Sequence, residues 1–203
     1  MKPLYLILGA YHSQPPALQH SERETIYKDS YKPFLQLLFY YPKFLPTLYY
    51  SVIVLEWLER HHTEFIDALS DLTKRKQVEL LGGGFFEPVF PLIPKTDRIG
   101  QIERLTTHIR KHFSRRPRGA WIPFGIWDQR IASNLNSGGI EYTFLNADQL
   151  SLCGVARITP FITEDQGKTI SVFPIENDIS SMLFKQPVSE VIDELRRYYE
   201  MEE

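Results

Sequence analysis

Along this chain, short runs that are apolar almost throughout alternate with longer stretches whose apolar residues recur every three or four positions. The run LYLILGA at 4–10 has the composition of a strand covered on both faces, and it gives way to the turn-like HSQPP. Further strand candidates are TLYYSVI at 47–53, QVELLGG at 77–83, RGAWIPF at 118–124, EYTFLN at 141–146 and TISVFPI at 169–175. Between them, RETIYKDSYKPFLQLLFYYP reads as helical around Pro33. Leu55, Leu58, Phe65, Leu69 and Leu72 keep close to helical spacing, with Thr63 as N-cap of the second half. From about Thr96, a helix places Ile99, Ile102, Leu105, Ile109 and Phe113 on one face. DQRIASNLNS forms the next helix, stopped by Gly138 and Gly139, and PVSEVIDELRRYYE a C-terminal one that Ser189 caps. The segment between 146 and 169 reads as a long loop. Strands alternating with helices predict a parallel α/β fold, either a barrel or an open doubly wound sheet, with functional residues at strand C-termini.

Composition narrows the classes. With 203 residues, 43% hydrophobic and 24% charged, and no linker-like stretch, the chain is expected to form a single domain over 1–203. A net charge of -2 supplies no field that would draw nucleic acid, and the basic runs stop at KRK (74–76) and RRPR (115–118). Cys153 is alone, which excludes an intrachain disulfide and fits a reducing cytoplasm. The N-terminal apolar run contains Pro3 and is followed by no small-residue cleavage pattern, so it reads as a buried strand rather than a signal peptide. No apolar run approaches membrane-spanning length, and no membrane partner is expected.

Few residues offer chemistry. LLGGGFF lacks the Lys-Ser/Thr that completes a phosphate loop, and TEDQGKT has Ile162 where the earlier glycine of such a loop belongs; both read as turns. His108 and His112 are four apart on one helix, a spacing able to hold a metal. They bring no third ligand at a recognisable position, so they are read as solvated helix-edge histidines, with no metal and no cofactor expected. The adjacent His61 and His62 point differently. His12 stands at the end of the first strand, a site position. Glu87, among Phe85, Phe86 and Phe90 at the end of the third strand, suits a cleft where rings stack on sugars and a carboxylate accepts hydroxyl hydrogen bonds.

The segments GAYHSQPPA, YKPFLQLL, VLEWLERH, QVELLGGGFFEPVFPLIPKTDRIGQIERL, GAWIPFGIWDQRI, GIEYTFLNADQL and TEDQGKTISVFPI, in this order, resemble the N-terminal catalytic barrel of glycoside hydrolase family 57. The likeness is strongest to its 4-α-glucanotransferase and α-amylase branch. The resemblance implies an incomplete (β/α)7 TIM-like barrel with parallel strands, truncated before the last strands, and α-glucan or maltooligosaccharide as ligand. It also implies a retaining mechanism, which needs two carboxylates about 5 Å apart. Where the family places its nucleophile, in Trp-Leu-Thr-Glu-Arg-Val-Trp, this chain runs from Trp121 to Trp127 with Phe124 at the nucleophile position and Gly125 in place of the arginine. The family's His-Asn-His-Gln-Pro is Tyr11, His12, Ser13, Gln14, Pro15, and its Asp-Asp-Tyr-His is Asn146, Ala147, Asp148, Gln149. No residue matches the acid/base.

Glu87 and Trp121 match cleft-lining positions, and His12, Gln14 and Trp127 complete the expected substrate-binding set. A phenyl ring forms no glycosyl ester. The expectation is therefore an inactive family member that at most binds α-glucan. The alternatives are a structural or regulatory subunit completed by a partner chain, and residual activity through Asp128 or Glu87. An open barrel edge predicts self-association or a partner chain.

Overall fold

The computed structural model describes residues 5–152, 154 and 159–200; Cys153 lies outside them. In chain order the elements are β1 (Gly9–His12), α1 (His20–Ile26), a π-helical turn (Tyr27–Tyr31), α2 (Lys32–Tyr40), β2 (Thr47–Tyr50), α3 (Val52–His61), α4 (Thr63–Lys74) and β3 (Glu79–Leu80). They continue with a 3-10 turn (Phe90–Leu92), α5 (Lys95–Phe113), β4 (Gly119–Ala120), a second 3-10 turn (Pro123–Gly125) and α6 (Arg130–Ser137). The last are β5 (Tyr142–Asn146), α7 (Ala147–Leu152), β6 (Phe161–Asp165), β7 (Lys168–Ile175), α8 (Asn177–Lys185) and α9 (Val188–Glu200).

The strands form two sheets, β1-β2-β3 and β4-β5-β7-β6, parallel except for the antiparallel β6–β7 hairpin. The seam is stitched at one residue: Gly82 N donates to Gly119 O at 2.8 Å, and Trp121 N donates to Gly82 O at 3.0 Å. Gly119 is needed there, because a Cβ at this position would run into the Tyr142 ring. Among the described residues β1 and β6 pair on one side only, so the strands lie in order as in a barrel that does not close.

Helices cover the sheets through the apolar stripes the sequence carries. Leu55 and Leu58 of α3, Phe65, Leu69 and Leu72 of α4, and Leu105, Ile109 and Phe113 of α5 join Leu48, Tyr49, Tyr50 and Leu80 in the larger core. Ile102 meets Ile122, Ile131 and Leu135 in a second cluster. Ser51, at the end of β2, caps α3 by accepting from Val54 N. The π-helical turn stands just before Pro33, whose missing N–H interrupts the regular ladder at that point.

The structure departs from expectation in several places. His62 rather than Thr63 stands at the N-cap of α4, and Ser189 lies inside α9. The first strand is Gly9–His12, later than the apolar run, and Tyr5, Leu6 and Ile7 are exposed. The expected loop after β5 holds α7 and the edge strand β6. The helix α8 lies before the C-terminal helix.

Candidate functional site

Strand alternation sorts the first motif into two faces. Tyr11 and Ser13 are exposed, whereas His12 and Gln14 turn into the protein. The Tyr11 ring lies flat on Trp121, with centroids 5.0 Å apart and planes 11° from parallel. On the other face, His12 stacks on Tyr50 at 4.4 Å and meets the edge of Tyr31 at 4.9 Å. Its Nε2 is buried without a hydrogen-bond partner among the described residues. Burial pushes the imidazole pKa down to about 4, so His12 is neutral at physiological pH.

Gln14 is buried and fully engaged. Its Nε2 donates to the Tyr31 hydroxyl at 2.9 Å, and its Oε1 accepts from Arg23 Nη1 at 2.9 Å. Buried Arg23 also donates to the carbonyls of Pro15, Pro16 and Leu18. The loop after β1 is thus wound around one guanidinium, whose charge-assisted bonds replace the water it gives up. Gln14 therefore shapes the loop that presents Ser13, and its amide is turned away from the Tyr11 face.

The loop after β3 carries the next group. Phe85 is buried and Phe86 exposed, with the Arg104 guanidinium 4.3 Å and 5.2 Å from their centroids. Phe86 N donates to Gln101 Oε1 at 2.8 Å, which pins the loop to α5. Gly84 lies too close to Pro88 for any side chain, and Glu87 adopts a left-handed φ of 50° as the chain reverses. This strained backbone aims Glu87 across the strand ends, where its Oε2 accepts from Ser13 Oγ at 2.7 Å. The Tyr49 hydroxyl is buried near the same carboxylate, outside hydrogen-bond geometry; burial first, and the Glu87 charge second, push its ionisation well above the usual phenol range.

After β4 the chain passes through half-buried Trp121 into the 3-10 turn that holds Phe124. Phe124 takes φ 61° and is 76% exposed, a phenyl ring presented to solvent in a conformation few side chains adopt. Trp127 packs against the smaller core clusters. Asp128 is clasped by Arg130, with Nε 2.8 Å from Oδ1 and Nη2 2.9 Å from Oδ2, which holds its carboxyl down at about 2. That carboxylate is committed to its arginine.

The strand C-termini thus gather a flat two-ring platform, Tyr11 on Trp121, and a carboxylate–hydroxyl pair, Glu87 with Ser13. Flat rings receive the apolar face of a sugar, and carboxylate and hydroxyl oxygens bond its hydroxyls. Of the residues expected from sequence, Glu87 and Trp121 lie at these strand ends. His12 and Gln14 support them from inside, and Trp127 stands in the core packing. Sequence reasoning missed Tyr11, Ser13 and Tyr49. The parity of β1 was the available signal, since Tyr11 and Ser13 must share a face opposite His12.

Comparison with known proteins extends this picture. The sequence model of Glycosyl hydrolase family 57 matches residues 7–200. A 4-alpha-glucanotransferase of Thermococcus kodakarensis is 33% identical over 198 residues, covering 96% of this chain and 30% of its own length. Alpha-amylase 1 of Dictyoglomus thermophilum is 32% identical over 177 residues, covering 86% of this chain and 26% of its own. The crystal structure of the 4-alpha-glucanotransferase from Thermococcus litoralis superposes with a TM-score of 0.90 at 32% identity, over 95% of this chain and 30% of that one. The chain spans about 30% of the length of the curated relatives it matches. With motif order, strand order and sequence model in agreement over nearly the whole chain, it belongs to Glycosyl hydrolase family 57.

Proposed function

We propose that this chain is a domain that binds α-glucan without hydrolysing it by the two-carboxylate route. The observation that carries the reading is the stacking of Tyr11 on Trp121 at 5.0 Å, a flat aromatic pair suited to a sugar face, together with a solvent-facing phenyl at position 124. Retaining chemistry needs a carboxylate to attack the anomeric carbon and a second to protonate the leaving oxygen. Phe124 has no atom able to attack, and loss of a nucleophile removes roughly four to six orders of magnitude in rate. Asp128 is clasped on both oxygens by Arg130 and so is committed to that ion pair. The single cysteine fits a cytoplasmic setting.

The test is a calorimetric titration of the purified chain with maltoheptaose, run beside an assay for new reducing ends. Saturable heat without reducing sugar is the expected result, and Trp121→Ala is expected to weaken binding about tenfold, the loss of roughly 1.4 kcal/mol of ring contact. A flat trace from folded protein rejects glucan binding, whereas steady release of reducing sugar rejects the inactive reading.

A further inference from the structure

We propose that Glu59, His108 and His112 form a binding site for a divalent transition-metal ion, zinc being the best fit, that clamps α3 to α5. The two histidines stand one helical turn apart on the same face of α5, and Glu59 approaches from α3, so the donors come from two helices brought together by the fold. Glu59 Oε1 lies 2.9 Å from His108 Nε2 and 3.4 Å from His112 Nδ1. All three candidate ligand atoms lie within 4.8 Å of one another. The imidazole rings are stacked, with centroids 4.7 Å apart, so both present their edges to the same carboxylate.

A tetrahedral zinc ion with bonds of about 2.0–2.1 Å holds its ligand atoms roughly 3.3–3.5 Å apart. The carboxylate–His112 distance already has this value. The carboxylate–His108 contact has to open by a few tenths of an ångström and the two histidine nitrogens, within 4.8 Å of each other, to settle at about 3.4 Å, movements within the freedom of side-chain torsions. Two imidazole nitrogens and one carboxylate oxygen are a borderline donor set that suits zinc, whereas calcium and magnesium require oxygen cages. The side chains are 20%, 14% and 25% exposed for Glu59, His108 and His112, enough for an ion to reach them and for water to complete its coordination. Sequence reasoning passed over the site because Glu59 is 49 residues from His108 and only the packing of α3 beside α5 supplies it.

The site also touches the loop that carries Glu87. The His108 ring meets Phe85 edge-on at 6.1 Å, and Phe85 lies two residues before that carboxylate. A bound ion would therefore stiffen the base of the β3 loop. Metal binding itself does not rest on glucan recognition and is tested apart from it.

The experiment uses the full chain freed of metal by a chelator, titrated with zinc chloride by calorimetry, with bound zinc counted by mass spectrometry after desalting. One zinc per chain and a melting temperature that rises with free zinc are expected. Glu59→Gln, His108→Gln and His112→Gln are each expected to weaken binding at least as much as loss of a supporting group does, roughly 10–100-fold. His61→Gln, a surface histidine change away from the cluster, is expected to leave the affinity unchanged. Because a ligand variant can lose fold as well as metal, each is checked by circular dichroism. The unsubstituted chain is also loaded with cobalt(II), whose visible bands report a tetrahedral nitrogen–oxygen site directly. No retained zinc, no such bands, or full affinity in a folded Glu59→Gln/His112→Gln chain overturns the assignment and leaves the cluster a hydrogen-bonded helix clamp.

Discussion

His12 is enclosed by Tyr31, Phe34 and Tyr50, and its imidazole has been emptied of charge by that enclosure. In the unfolded chain it titrates near the ordinary value of 6.5, and in the folded protein near 4. Between these values the unfolded chain binds a proton that the folded protein refuses. Stability is therefore unaffected by this group above pH 6.5 and falls as pH drops toward 4, by about 3 kcal/mol at most. His12→Phe should flatten that part of the acid limb in urea unfolding measured from pH 7 to 4. A variant curve parallel to the original would mean that the ring is solvated and titrates normally. The same residue marks how far the site was legible. A histidine at a strand end reads as chemistry, yet its direction depends on where β1 begins, and the exposed run before Gly9 hid that register. Glu87 was legible because its aromatic and turn-forming neighbours announce a cleft, and Trp121 through the family resemblance of its segment. Tyr11 and Ser13 were not, since their role comes from a ring and a carboxylate on strands far along the chain.

Strands β2, β4 and β5 were legible as elements because neither of their faces is open to solvent, so they read as apolar runs whatever the register. The β6–β7 hairpin hides itself differently. In β6, Ile162 and Glu164 are exposed while Phe161, Thr163 and Asp165 are half-buried, so no alternation of apolar and polar residues marks it. Its turn was visible only as Gln166-Gly167, and both residues take positive φ, 53° and 76°, the geometry that matches the twist of a two-residue hairpin. Glutamine pays for that conformation, whereas asparagine tolerates it. Gln166→Asn should stabilise the protein by a few tenths to about 1 kcal/mol, less the exposed bond from Lys95 Nζ to Gln166 Oε1. A midpoint shift to higher urea at unchanged slope checks this, and a shift to lower urea would show that the Lys95 contact outweighs the turn.

Taken whole, the molecule has two unequal sheet edges among its described residues. The β6 edge is antiparallel to its neighbour and closes on a tight turn flanked by Glu164, Asp165 and, in β7, Lys168, features that discourage further strand pairing. The β1 edge has no such protection: Gly9–His12 carries no acidic or lysine side chain, and it is preceded by Tyr5, Leu6 and Ile7, exposed by 85%, 50% and 48%. With a net charge of only -2, repulsion between copies is weak. Burying this strip against a second copy removes apolar surface from water and can pair the free backbone groups of β1, so association through β1 is the expected state at high concentration. Sedimentation velocity over a hundredfold range of concentration should show the average mass rising, and Leu6→Lys with Ile7→Lys should return it toward that of one chain. A single species of one-chain mass throughout would mean that the strip folds over its own edge in solution. Loss of association in the double variant, with zinc binding retained, would place the contact at β1 and away from the metal cluster, which lies on α3 and α5.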